Sequence, residues 1–251
     1  MIYFVGAGPG DPELITIKGA KLLQEADVVI YTGSLVNPKI LNYCKPGAEI
    51  YNSATMTREE ILAVMRRAHL KQLTVVRLHT GDPALYGAIQ EQMDALMSQD
   101  IPFKVVPGVS SFLAAAAAIP HELTLPGVTQ TVILTRLEGR TPVPEQEKLR
   151  ELARHQCTMC IFLSVHQIEQ VVEELLAGGY SPQTPVLVIE KVSWPEERLL
   201  RGTLADIAEQ VKNAGITRTA LVLVGDVFNS SYQLSRLYDP HFDHSYRNSR
   251  K

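Results

Sequence analysis

Three times in the first 119 residues a short apolar run stops at a turn of glycine, proline and small polar residues, and a helical pattern follows. Ile2–Val5 runs into Gly6-Ala7-Gly8-Pro9-Gly10-Asp11-Pro12, Val75–Leu78 into Thr80-Gly81-Asp82-Pro83, and Phe103–Val106 into Pro107-Gly108-Val109-Ser110-Ser111. Strand, tight turn, helix is the unit of an open parallel α/β sheet, and the turns stand at the carboxyl ends of the strands, where such sheets take their ligands. Gly81 permits close backbone approach, Pro83 presets φ, and Asp82 is a short acceptor suited to a hydroxyl or an ammonium group, or to an Asx turn.

The turns also exclude two common ligand classes. After Gly6 and Gly8 a dinucleotide fingerprint needs a third glycine where Asp11 stands, and Pro9 removes a backbone donor that a pyrophosphate would use. A phosphate-binding P-loop fails for want of Gly-Lys-Ser/Thr. The first loop is therefore shaped for close approach of something less anionic than a pyrophosphate.

Around these turns the pattern predicts a helix over Thr16–Ala26, with Ile17, Ala20, Leu22 and Leu23 at core spacing, and a strand over Asp27–Tyr31. Asn37-Pro38 opens a short helix, Ala48–Tyr51 is a further strand candidate, and Thr57-Arg58-Glu59-Glu60 is a capping box before a helix reaching about Leu70. Helices follow from Ala88 and, alanine-rich, from Ser111 to Ile119. From Pro120 the alternation restarts. Strands are expected at Thr131–Leu134, Met159–Leu163, Pro185–Ile189, Arg198–Arg201 and Ala220–Val224, and helices at Glu145–Arg154, Ile168–Leu176 and Leu204–Val211, with a polar loop over Thr135–Pro144. The length suits two α/β domains, 1–119 and 120–228, and 229–251 reads as a loose tail.

A charged fraction of 20%, a net charge of −3 and a mean hydropathy of +0.01 describe an ordinary soluble protein without a global basic field, so nucleic acid is disfavoured as a partner. The segment MIYFVGAGPGD is not read as a signal peptide, and the apolar run 112–119 is too short to span a bilayer. The expected location is cytoplasmic, without membrane. Three cysteines cannot form a disulfide framework, and Cys157-x-x-Cys160 leads into a strand rather than a helix N-terminus, which favours packing over redox or zinc chemistry. No metal site is expected. Residue-level reasoning thus reaches a two-domain α/β protein that binds a small polar molecule.

GAGPGDPELITIKG, TGDPALYG and VPGVSS, in that order, resemble the successive signatures of the tetrapyrrole methylase family, and the likeness extends over about residues 1–228. The segments YTGSLVNP, HTGDPALYGAIQEQ and QTVILTRLEGRTPVPEQEKL are most similar to members that act on precorrin-4 or cobalt-precorrin-4. The resemblance implies two α/β/α domains with a cofactor cleft between them, a homodimer, and C11 methylation of a corrin precursor in cobalamin biosynthesis with S-adenosylmethionine as donor and S-adenosylhomocysteine as product. It assigns Pro9 to the first cofactor loop, Thr80, Gly81, Asp82 and Leu85 to the second, Ser110 and Ser111 to the third, and Leu163 and Val192, from the second domain, to an adenine pocket. Members acting on uroporphyrinogen III carry a functional carboxylate after the second strand, whereas Thr32-Gly33-Ser34 stands here.

A corrin precursor with many carboxylate arms calls for cations, and Arg136 and Arg140 are the leading candidates, with His79 and Arg58 behind them. Each has a plainer role open to it: a solvated or surface-paired loop charge for the arginines, a hydrogen bond to the turn for His79. Tyr86 is either a cofactor wall or packing beneath a helix, and Trp194 packs its turn. No catalytic base is identified. Competing readings are another tetrapyrrole methylase, a diphthamide or ribosomal RNA methyltransferase, a nicotinamide oxidoreductase, and a tetrapyrrole carrier without enzymatic activity.

Overall fold

The computed structural model describes residues 1–243 and 245–248. The chain forms two units, Met1–Ala118 with Lys191–Arg198, and Ile119–Glu190 with Leu199–Lys251. Residues 191–198 therefore group with the first unit, so Val192 is a first-unit residue, not the second-domain residue expected from its place in the sequence.

The first unit is a five-stranded, all-parallel sheet of β1 (Ile2–Gly6), β2 (Val28–Tyr31), β3 (Glu49–Asn52), β4 (Val75–His79) and β5 (Phe103–Val106), in the order β3-β2-β4-β1-β5. Its helices are α1 (Ile17–Glu25), α2 (Arg58–Leu70), α3 (Gln90–Met97) and α4 (Ser111–Ala118). Alternation along the strands feeds two apolar layers. Ile2, Phe4, Ile30 and Val75 pack with Ile61, Met65 and Leu96, while Val5, Val29, Val76 and Leu78 pack with Leu22, Leu23 and Ile40. Burial on both faces is why the three inner strands, β1, β2 and β4, read as near-continuous apolar runs, while the edge strands β3 and β5 do not.

Helix starts follow side-chain capping. Thr16 Oγ1 accepts from Gly19 N–H, and Thr57 and Glu60 exchange hydrogen bonds as a complete capping box. The α3 start differs from expectation: Tyr86 and Ala88 sit at φ +56° and +49°, left-handed values a right-handed helix cannot include, so the helix begins at Gln90.

The second unit has a mixed sheet of β6 (Val132–Arg136), β7 (Thr158–Phe162), β8 (Pro185–Glu190), β9 (Arg198–Thr203) and β10 (Ala220–Val224), ordered β6-β7-β10-β8-β9. β6 and β7 are parallel, whereas β10 runs antiparallel to β7 and β8. The helices α5 (Leu149–Ala153), α6 (Ile168–Ala177) and α7 (Ile207–Asn213) share one core with Met159, Ile161, Val188 and Val222. The helix expected over 145–154 is split, because Lys148 takes extended dihedrals between a 3-10 turn and α5. The last helix starts at Ile207 because Asp206 first accepts from Thr203 N–H and Oγ1 and closes a turn. Cys157 and Cys160 are buried, and burial raises both thiols, Cys160 to about 12, in agreement with packing.

Candidate functional site

The three Gly/Pro turns meet. A Cβ added to Gly6 would lie 2.5 Å from Gly108 Cα and 2.6 Å from Gly81 O, and one added to Gly108 would lie 2.2 Å from Gly81 O. Gly8 and Gly81 exchange backbone hydrogen bonds, Gly81 N–H donating to Gly8 O at 2.8 Å and Gly8 N–H to Gly81 O at 3.3 Å. The approach of Gly6 and Gly108 to each other and to Gly81 O is possible only because neither carries a side chain. Gly81 is required for a different reason: a Cβ there would meet nothing nearer than 3.6 Å, but its φ is +61°.

Asp82 closes this junction. One carboxylate oxygen accepts from Ala84 N–H at 2.8 Å, the other from Gly108 N–H at 2.9 Å. The Asx turn and a tie between two loops therefore engage both oxygens. Thr80 Oγ1 lies 3.4 Å from Thr32 Oγ1, and Leu85 is half-buried in the same turn. Ser110 is buried and its carbonyl accepts from Leu113 and Ala114 at the start of α4, of which Ser111 is the first residue.

The first loop is fastened by more distant residues. Trp194 Nε1 donates to Pro9 O at 3.1 Å, Asn37 Nδ2 to Gly10 O at 2.9 Å, and Asp11 N–H to Ser193 Oγ at 2.9 Å. Val192 precedes them and is buried. Leu163, in the second unit, follows β7 at φ +55° with 59% of its surface exposed, so a large apolar side chain is presented in a backbone conformation that normally disfavours it.

Among the expected substrate cations, His79 requires correction. It ends β4 at 2% exposure, and burial, reinforced by the Arg77 charge, drives its imidazole down to about 3. It is neutral at physiological pH and is no counter-ion for a carboxylate. Arg58 is paired at the surface with Glu59 and Glu91. Arg136 was expected in a loop but is the last residue of β6, and its guanidinium donates to the carbonyls of Leu137, Thr141 and Pro142, shaping the 137–142 turn. Arg140 lies on that turn, exposed and without a partner among the described residues.

Sequence reading missed Arg77. It shares a sheet face with Val75 and His79, is 4% exposed, and donates to Ile30 O, Ser53 Oγ and Gln92 Oε1, while Gln92 Nε2 donates to Ala88 O. A lone arginine inside an apolar strand run was the available signal. The hydrogen bonds tie β4 to the segment after β3 and to the turn before α3. Among the described residues no cluster of His, Cys, Asp and Glu could hold a metal ion.

The profile of the tetrapyrrole (corrin/porphyrin) methylases matches residues 1–208. The chain belongs to this family. Among the tetrapyrrole methylases, a cobalt-precorrin-4 C(11)-methyltransferase of Methanocaldococcus jannaschii is 59% identical over 251 residues, covering 100% of this chain and 97% of that protein. The crystal structure of a cobalt precorrin-4 methyltransferase, described as a cobalamin biosynthetic enzyme, superposes with a TM-score of 0.89 at 49% identity, over 91% of this chain and 96% of that one. A uroporphyrin-III C-methyltransferase of Thermus thermophilus, solved with S-adenosylhomocysteine, gives a TM-score of 0.76 at 32% identity over 91% and 93% of the two chains. The fold is thus that of the tetrapyrrole methylases, as the sequence resemblance implied.

Proposed function

We propose that this chain transfers a methyl group from S-adenosylmethionine to C11 of precorrin-4 or its cobalt complex, giving the corresponding precorrin-5 in cobalamin biosynthesis. The observation that carries the reading is the 59% identity, from end to end, to a relative named for that reaction. The interlocked glycine turns support it. They offer close backbone approach without a phosphate cradle, which suits a ligand carrying a sulfonium, an adenosine and an amino acid in place of a pyrophosphate.

In this reading Pro9, Thr80, Gly81, Leu85, Ser110, Ser111 and Val192 contact the nucleoside and its amino-acid arm, Leu163 supplies apolar surface to the adenine, and Asp82 holds the turn that does so. Arg140 receives a substrate carboxylate and Arg136 shapes the turn that presents it. The bound donor supplies an electrophilic methyl group. Its chemistry would be in-line transfer of that methyl to an enamine-like substrate carbon, the sulfur leaving as a neutral thioether and the enamine N–H proton passing to solvent. The protein contributes chiefly proximity and orientation, and an enamine-like acceptor carbon requires no strong base of the residues at the turns. The Thr32-Gly33-Ser34 sequence favours this substrate over uroporphyrinogen III. The homodimer and the cytoplasmic location belong to the same proposal, and sedimentation velocity tests the former. Among the described residues no helix is long and apolar enough to cross a membrane.

Calorimetric titration with S-adenosylhomocysteine, with NAD as control, tests the donor. Micromolar binding of the first alone is expected. Turnover of precorrin-4 and of its cobalt complex, with mass-spectrometric location of the new methyl, tests the acceptor; a methyl at another carbon sinks the C11 assignment.

A further inference from the structure

The loop after β1 has a bonding problem that its own residues do not solve. Pro9 has no N–H, and a loop that turns this tightly leaves the carbonyls of Pro9 and Gly10 and the N–H of Asp11 outside any ladder. All three are satisfied by side chains. The Trp194 indole and the Ser193 hydroxyl serve Pro9 and Asp11 from 185 and 182 residues away in sequence, and Asn37 serves Gly10.

The contact is steric as well as polar. A Cβ on Gly10 would stand 2.0 Å from Trp194 Cδ1 and 2.3 Å from Nε1, so the indole lies directly on the glycine. Residues 191–198 belong to the first unit although their flanking strands, β8 and β9, form the second unit's sheet. The turn is itself held in an uncommon shape: Lys191 and Ser193 sit at φ +48° and +65°, Ser193 N–H donates to Glu197 Oε2 at 2.7 Å, and Trp194 N–H to Lys191 O at 2.9 Å. Left-handed conformations at two non-glycine residues persist only where their surroundings over-determine them.

We infer that Ser193 and Trp194 are positioning residues that clamp the Pro9-Gly10-Asp11 loop in its ligand-ready shape, and so set affinity for the methyl donor rather than for the tetrapyrrole. The inference rests on the donor assignment proposed above. A loop fixed before the ligand arrives spares binding the entropy of ordering it, and removing the clamp returns that cost to the binding step. The two residues touch the loop and need not touch the donor.

The test uses the full chain, with S-adenosylhomocysteine calorimetry and steady-state kinetics in both substrates. Trp194→Ala is expected to weaken S-adenosylhomocysteine at least tenfold and raise KM for S-adenosylmethionine, with KM for the tetrapyrrole unchanged. Trp194→Phe, which keeps an aromatic ring at the position but loses the indole N–H, and Ser193→Ala should each produce a smaller loss of the same kind. Gly10→Ala should damage donor binding in the wild-type background and add little in the Trp194→Ala background, because the clash partner is then gone.

If wild-type protein fails to bind S-adenosylhomocysteine, the donor assignment falls and takes this inference with it. If wild-type protein binds and the folded variants match its affinity, or lose donor and tetrapyrrole affinity equally, the clamp alone is overturned. Should Trp194→Ala not fold, Trp194→Phe and Ser193→Ala decide by the same criterion.

Discussion

The Asp82 carboxylate accepts from the Gly108 N–H at 2.9 Å, joining the turn after β4 to the turn after β5 across 26 residues of sequence. Its other oxygen holds Ala84 N–H, so a single side chain fixes the course of one loop and its distance from the next. Asp82→Ala leaves two loop N–H groups without an acceptor, at a cost of about 1–3 kcal/mol in stability. Chemical denaturation should show that loss, and calorimetry a parallel loss of S-adenosylhomocysteine affinity. Asp82→Asn, which retains one carbonyl acceptor, should fall between wild type and alanine. Equal affinity in all three proteins would remove Asp82 from the site.

Gly108→Ala should be more damaging than an ordinary loop substitution, since its Cβ would stand 2.2 Å from Gly81 O and 2.7 Å from Gly6 Cα, both backbone atoms with no side-chain freedom to yield. A stability loss of about 1–3 kcal/mol with loss of donor binding is expected. Gly47→Ala is the control: nothing lies within 4 Å of its added Cβ, so only the strain of φ +82° is felt and donor affinity stays at the wild-type value.

His79 predicts a pH dependence. Its folded-state pKa, about 3, lies below the unfolded value near 6.5, so the unfolded chain binds the extra proton as pH falls. The native state is then disfavoured progressively below pH 6.5, by about 2 kcal/mol at pH 5, a range in which carboxylates contribute little. Denaturant midpoints measured between pH 7.5 and 5 should fall in wild type and fall much less in His79→Asn, whatever the baseline stability of that variant. A parallel decline in both would show that His79 is not the titrating group.

Arg140 and Arg136 should separate kinetically. Arg140→Ala is expected to lower kcat/KM for the tetrapyrrole about tenfold, the scale of one partly exposed charge-assisted contact, with donor affinity unchanged. Arg136→Ala removes the donors to three turn carbonyls and should also lower stability, by about 1 kcal/mol. Unaltered tetrapyrrole kinetics in Arg140→Ala would move substrate recognition elsewhere.

Burial raises the thiols of Cys44, Cys157 and Cys160, so little thiolate is present at neutral pH. An aromatic disulfide reagent should report slow reaction in native protein and three fast-reacting thiols in denaturant, with no disulfide between Cys157 and Cys160.

Sequence alone carried the strands, the three turns and the helix caps, because each depends on neighbours within a few residues. Burial on both sheet faces writes Val28–Tyr31 as an unbroken apolar run, and Thr57 with Glu60 caps α2 through contacts three residues apart. The family was legible for the same reason, since its signatures are those contiguous turns. The roles of individual polar side chains were not. Asp82 reads as a ligand acceptor until Gly108 is brought beside it, His79 as a cation until burial holds it neutral, Arg136 as a loop charge until its carbonyl partners appear, and Trp194 as local packing until Gly10 is found against its ring. A side chain's chemistry is set by what surrounds it in space: Gly108 stands 26 positions from Asp82 and Pro9 185 from Trp194, and even the carbonyls that Arg136 meets one to six positions on are gathered round it only by the folded turn.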